Sequence, residues 1–113
     1  MSVRLTIVYP TEEAGYFDFG YYRETHLPLA AEWLAPHGLL SCTVQRGLGT
    51  VQGGPPPHCC ITHLDFASLA GMRAGFAEHG DALRADFARY TNIAPVATVC
   101  EVEGMEAVTR ADA

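Results

Sequence analysis

Along the first ten residues, Val3, Leu5, Ile7 and Tyr9 alternate with Arg4, Thr6 and Val8. That two-residue period predicts a β-strand with one strongly apolar face. From Phe19 the period changes: Phe19, Tyr22, His26, Leu29 and Trp33 recur at helical spacing, while Arg23, Glu24 and Glu32 fall elsewhere on the wheel. A helix with its stripe on a core is expected, with Asp18 as its N-cap and Gly38 as its stop. A second strand follows, with Leu40, Cys42 and Val44 on one face. The stretch GTVQGGPPPH is too rich in glycine and proline for a regular element and reads as a loop.

HCCITHLDFA is the third predicted strand, and Ser68 is placed to cap the next helix. Leu69, Met72 and Phe76 line one side of that helix, and Leu83, Phe87 and Tyr90 continue the line after Gly80. EHGDAL offers a glycine stop followed by an aspartate start, so a break or kink is expected near Gly80. APVATVCEVEG supplies the fourth strand.

The order β, α, β, β, α, β matches the ferredoxin-like split βαβ arrangement, an α+β class in which two helices cover one face of a four-stranded antiparallel sheet. The chain's 113 residues, 49% of them hydrophobic, are enough for one core, so residues 1–113 are read as a single domain. Val8, Val99 and other apolar groups assigned to the second sheet face would leave an apolar patch in water. A homodimer through that face, as in a dimeric α+β barrel, removes it.

Thirteen acidic side chains against seven basic ones give a formal charge of -6. That sign opposes the electrostatic term behind most nucleic-acid binding, and it equally disfavours an anionic membrane surface. All seven basic residues are arginine. Without lysine, Schiff bases, covalent pyridoxal phosphate and P-loop phosphate binding are all excluded. The N-terminal residues show neither a basic region followed by a long apolar run nor a bilayer-length segment, so a cytoplasmic protein is expected. Cys42, Cys59, Cys60 and Cys100 lack CxxC spacing and read as reduced core thiols.

The segment FDFGYYRETHLPLA raises the chemical question, because His26 sits in an aromatic stripe two positions before Pro28. Pro28 lacks an N–H and disfavours helical geometry at Leu27, so a kink just past His26 is expected. It would open a gap beside the imidazole lined by Tyr22, Trp33 and Tyr9, apolar with a few polar tips. Histidine, with an unperturbed pKa of about 6.5, takes and gives a proton near neutrality. His26 is therefore the candidate catalytic acid–base, with no cofactor required. Tyr22, one turn earlier, would orient the imidazole or bind a substrate oxygen. Tyr9, Trp33, Phe76, Tyr90, Thr91 and Asn92 are the candidate substrate contacts, although Thr91 and Asn92 also fit helix capping. Asp86, beside Arg84 and Arg89, reads as a solvated charge. His79 is expected at the carbonyls of a helix end before Gly80. Strand alternation sets His63 on the opposite face from His58 and Cys60, so no metal site is expected there.

YYRETHLPL at 21–29, DFARYTNIAP at 86–95 and the element order resemble the EthD-like members of the dimeric α+β barrel superfamily. In the second segment the resemblance is carried by Asp86, Tyr90, Thr91, Asn92 and Pro95. It implies a homodimer with a small-molecule pocket between helices and sheet. Proteins similar to this family include a methylmuconolactone isomerase and fungal polyketide dehydratases and decarboxylases, so isomerase, lyase or lactone chemistry is the expectation. An oxidoreductase, as many relatives are labelled, is the alternative. It would be an oxygenase or a haem binder with His26 or His79 as axial ligand, since no G-x-G-x-x-G junction is present to hold a nicotinamide. A non-catalytic small-ligand carrier is the third reading.

Overall fold

The four alternating segments all become strands. In a computed structural model, which describes residues 2–104, they are β1 (Ser2–Pro10), β2 (Leu39–Arg46), β3 (His58–Phe66) and β4 (Val96–Val102). They form one antiparallel sheet in the order β2-β3-β1-β4. This is the ferredoxin-like arrangement, with the helices α1 (Phe19–Tyr21), α2 (Leu27–Leu34) and α3 (Leu69–Ala85). The caps fall where side-chain chemistry requires: Tyr21 N donates to Asp18 Oδ1 at 3.1 Å and Gly71 N to Ser68 Oγ at 3.0 Å. Gly38 ends the first helical run with φ +92°, a left-handed conformation that glycine takes without a Cβ penalty. Among the described residues, no helix is long and apolar enough to cross a membrane.

Val3, Leu5, Leu64 and Phe66 face the helices and pack with Ala30, Leu34, Met72 and Leu83. A second cluster joins Tyr9, Tyr22, Leu27, Cys60, Tyr90 and Ile93. Burial pushes the Cys60 thiol up to about 11, consistent with a protonated core thiol.

Four expectations about the fold are corrected. First, the helix does not kink past His26. It widens before the proline, in a π-helical turn over Tyr22–His26 where Leu27 N donates to Tyr22 O. Pro28 then falls at the start of α2, directly after the wide turn, where the regular i→i−4 ladder is already interrupted. The extra residue rotates α2 about its axis, so Leu27, Ala30 and Leu34 are buried while Leu29 and Trp33 are only half-buried. Second, α3 runs unbroken through Gly80, which is buried within it. The i→i−4 ladder and the core packing of Phe76 and Leu83 outweigh the propensity cost of one glycine. Third, Val99 pairs with Leu5 and so belongs to the helix-side face, while Val96, opposite Val8, lies on the open face. Fourth, in β2 the register shifts between Leu39 and Ser41, leaving Leu40 unpaired and 64% exposed, off the face it was to share with Cys42 and Val44.

The open face also carries polar pairs. Arg4 Nε donates to Asp65 Oδ1 at 2.7 Å and Arg4 Nη2 to Oδ2 at 3.2 Å, with Ser41 Oγ donating to Oδ2 at 3.0 Å. The bond from Arg4, ahead of that from Ser41, holds the Asp65 carboxyl below its usual range. A depressed folded value gives stability that is complete above the unfolded carboxylate pKa, about 4, and is lost as pH falls through the folded one. Asp65→Asn is therefore expected to flatten the decline in urea midpoint on acidification below about pH 4, with unchanged slope elsewhere. His63 lies on this face between Thr6 Oγ1 (3.1 Å) and Gln45 Oε1 (3.0 Å), away from the inward-facing Cys60.

Candidate active site

The π turn decides where His26 points. Tyr22 and His26, four residues apart across the wide turn and both buried, lie side by side with their rings stacked at 5.5 Å and 13° between planes. Above them the chain leaving α3 forms a short 3-10 turn, Phe87–Arg89, and this turn sets Asp86 and Tyr90 over the imidazole. His26 Nδ1 lies 2.9 Å from Asp86 Oδ2, with side-chain exposures of only 7% and 15%. The other carboxylate oxygen accepts from the Tyr21 hydroxyl at 2.9 Å and faces Arg89 Nε at 3.3 Å. Asp86 thus has an oriented environment and a tertiary partner, contrary to its reading as a solvated charge.

Beside the imidazole is a cavity of about 270 Å³, close to the lower end of the ~300–1,000 Å³ range of small-molecule sites. Tyr9, Tyr22, His26 and Phe76 line it, with Arg84 as its cationic group. Tyr9 OH and Tyr90 OH are 2.8 Å apart, and Tyr22 OH is 2.7 Å from Thr62 Oγ1. Burial pushes the hydroxyl pKa values of Tyr9, Tyr22 and Tyr90 upward, so all three phenols stay protonated and serve as hydrogen-bond donors. Tyr22 therefore supplies a ring to the imidazole and a hydroxyl to Thr62, while the carboxylate that orients His26 is Asp86.

Other candidates are placed elsewhere. Tyr90 packs on His26 at 4.7 Å, behind the cavity wall. Thr91 Oγ1 donates to Tyr16 O at 2.7 Å and accepts from Ile93 N at 3.0 Å. Asn92 accepts from Tyr16 N at 2.9 Å and donates to Ala14 O at 3.1 Å. These two residues clamp the 14–17 loop, and neither lines the cavity. Trp33, turned aside by the π insertion, stacks on His79 at 5.2 Å instead of lining the cavity. His79 is correspondingly inside α3, not at a helix end.

Gly80 explains part of the open volume. The nearest atoms a Cβ there would meet belong to the end of the Arg84 side chain, 3.2 Å away at Nη1. Alanine in a helix interior is worth about 0.5–1 kcal/mol over glycine, and a mobile guanidinium yields easily. Gly80→Ala is therefore expected to raise the melting temperature by a few degrees while narrowing the cavity, seen as weaker binding of apolar ligands.

The EthD domain model matches residues 17–94, well over half of the 113-residue chain. No curated protein matches the chain. Among solved structures, the chain is similar to an EthD-like protein from Ralstonia eutropha JMP134, with 30% identity, 96% of this chain and 97% of that one covered, and a TM-score of 0.86. An ethyl tert-butyl ether D (EthD) family protein from Bacillus halodurans C-125 follows at 20% identity, 91% and 100% coverage and a TM-score of 0.72. A structure of SnoaB, a cofactor-independent oxygenase from Streptomyces nogalater, shares the fold at 13% identity, 93% and 96% coverage and a TM-score of 0.60. With the ferredoxin-like sheet and the match spanning both the His26 and Asp86 segments, this chain belongs to the EthD family.

Proposed function

We propose that this protein is a cofactor-independent acid–base enzyme in which His26, oriented by Asp86, takes a proton from a small, mainly apolar oxygenated substrate in the adjoining cavity. The observation that carries the reading is the 2.9 Å contact between His26 Nδ1 and Asp86 Oδ2 at the cavity wall. A carboxylate on Nδ1 favours the tautomer with the proton there, leaving the Nε2 lone pair as the base. Among the described residues, Nε2 has no hydrogen-bond partner, and it is not a sealed, orphaned atom.

The chemistry runs through a C–H next to a carbonyl. Nε2 takes the proton and the C–H electron pair moves into the carbonyl, giving an enolate. The Tyr9–Tyr90 pair shares one hydrogen bond between two hydroxyl hydrogens. When Tyr90 donates, the Tyr9 hydrogen is free to donate to the enolate oxygen. The imidazolium then returns its proton to another carbon, giving an isomer, or to a departing hydroxyl or lactone oxygen, giving elimination or ring opening. Electrons balance in each case without an external oxidant.

Hydrogen–deuterium exchange into a panel of apolar 1,3-dicarbonyl and lactone probes in D2O tests this reading. Exchange accelerated by the protein and lost in His26→Gln supports it. No acceleration, or equal acceleration by the variant, overturns it. An oxygenase shares the first step and then consumes dioxygen, as the name of the Streptomyces nogalater neighbour suggests, and dioxygen uptake with the same probes separates the two.

The same proposal includes a homodimer through the open sheet face. Val8 and Val96 are cross-strand partners there, and Val96 is 62% exposed in the single chain. A dimer mass by light scattering is expected, and Val96→Glu is expected to shift it to monomer.

A further inference from the structure

Outside the His26 cavity, three metal-ligating side chains converge where the first helical run ends against α3. His37 closes the 3-10 turn Ala35–His37, and Glu78 and His79 are neighbours on α3. Their ligand atoms all lie within 4.8 Å of one another. His37 Nε2 is 3.4 Å from Glu78 Oε1, and His79 Nε2 is 3.3 Å from Glu78 Oε2. Both separations exceed the ~2.7–2.9 Å of a charge-assisted hydrogen bond. Each is near the roughly 3.3–3.4 Å edge of a tetrahedron with metal–ligand bonds of about 2.05 Å, but the two run to different carboxylate oxygens, so the exposed glutamate turns one oxygen toward both imidazoles when the ion binds.

The surroundings hold the two imidazoles in place. A Cβ at Gly71 would sit 2.3 Å from His37 O, and one at Gly75 would sit 3.1 Å from His37 Cβ and 3.2 Å from its Cγ. Two glycines on α3 thus clear the surface against which His37 lies. The His79 ring is fixed by stacking on Trp33, at 5.2 Å and 19°. Both imidazoles are about one-fifth exposed while the glutamate is 61% exposed, leaving the site open to solvent.

We propose that His37, Glu78 and His79 form a divalent transition-metal site, with Zn2+ as its ligand. Two imidazoles and one carboxylate suit zinc and not the oxygen-seeking calcium or magnesium, and they leave one tetrahedral position for water. One anionic ligand and two neutral ones give a net charge of +1 with the ion bound. None of the three residues lines the His26 cavity. The ion ties the end of the first helical run to α3 and needs no part in the chemistry proposed for His26.

The test titrates the metal-free, tag-free full chain with Zn2+ by calorimetry and with Co2+ by visible absorption, alongside thermal melting. One equivalent per chain is expected, with micromolar or tighter affinity, an intense tetrahedral cobalt band and a raised melting temperature. His37→Gln and Glu78→Gln are each expected to weaken binding by more than about tenfold. His63→Gln, on the opposite sheet face, is expected to leave it unchanged. Glu78 is largely exposed, so its variant remains folded and informative if His37→Gln is not. Absence of saturable binding, or binding unaffected by Glu78→Gln and His37→Gln, overturns the proposal.

Discussion

His26→Gln is expected to slow catalysed proton exchange by about two to four orders of magnitude, the usual worth of a positioned general base. Glutamine is close in length to histidine and its amide can donate to Asp86 Oδ2, where His26 Nδ1 now lies at 2.9 Å. The partner carboxylate is therefore not left unpaired, and the melting temperature should change little. Glutamine has no titratable nitrogen, so it cannot accept the proton. The loss should appear in kcat with KM nearly unchanged, because the cavity wall keeps its shape. A variant with near-normal turnover would mean that another group is the base.

Asp86→Asn is expected to reduce turnover by a similar factor through a different route. Arg89 Nε lies 3.3 Å from Oδ1, which also accepts from Tyr21 at 2.9 Å. Those donors select the amide oxygen for the Oδ1 position and turn the amide NH2 toward His26. Facing a donor, Nδ1 must become an acceptor, and the ring proton moves to Nε2. The base would then be protonated on the cavity side at every pH where the ring is neutral. Asp86 is a positioning residue in this account, so the variant should show lost kcat, retained ligand binding and an altered pH–rate profile together. Full activity with an unshifted profile would contradict it.

The alternation in β1 and β3 and the caps Asp18, Ser68 and Gly38 were legible because each depends on neighbours in sequence. His26, Tyr22 and Tyr9 were legible as a group for the same reason: one periodic stripe facing one apolar strand. The π turn was not, because it depends on how the chain accommodates Pro28 against the sheet. That single inserted residue moved Trp33 out of the site and Leu27 into it. Asp86 was hidden by its own neighbours, since Arg84 and Arg89 suggest a solvated charge while its partner His26 is 60 positions away. Its place in the DFARYTNIAP segment was the available signal. Gly80 was misread because a glycine that terminates a helix and one that clears space inside a helix look alike in sequence.

The most direct test of the central claim is the imidazole nitrogen spectrum of His26, recorded by long-range 15N–1H correlation on the labelled protein at a pH where the ring is neutral. A protonated Nδ1 and an unprotonated Nε2 are expected, with the Nδ1 proton shifted downfield by its bond to Asp86 and the pattern inverted in Asp86→Asn. A neutral ring protonated at Nε2 in the unaltered protein would contradict it, because no base would then face the cavity.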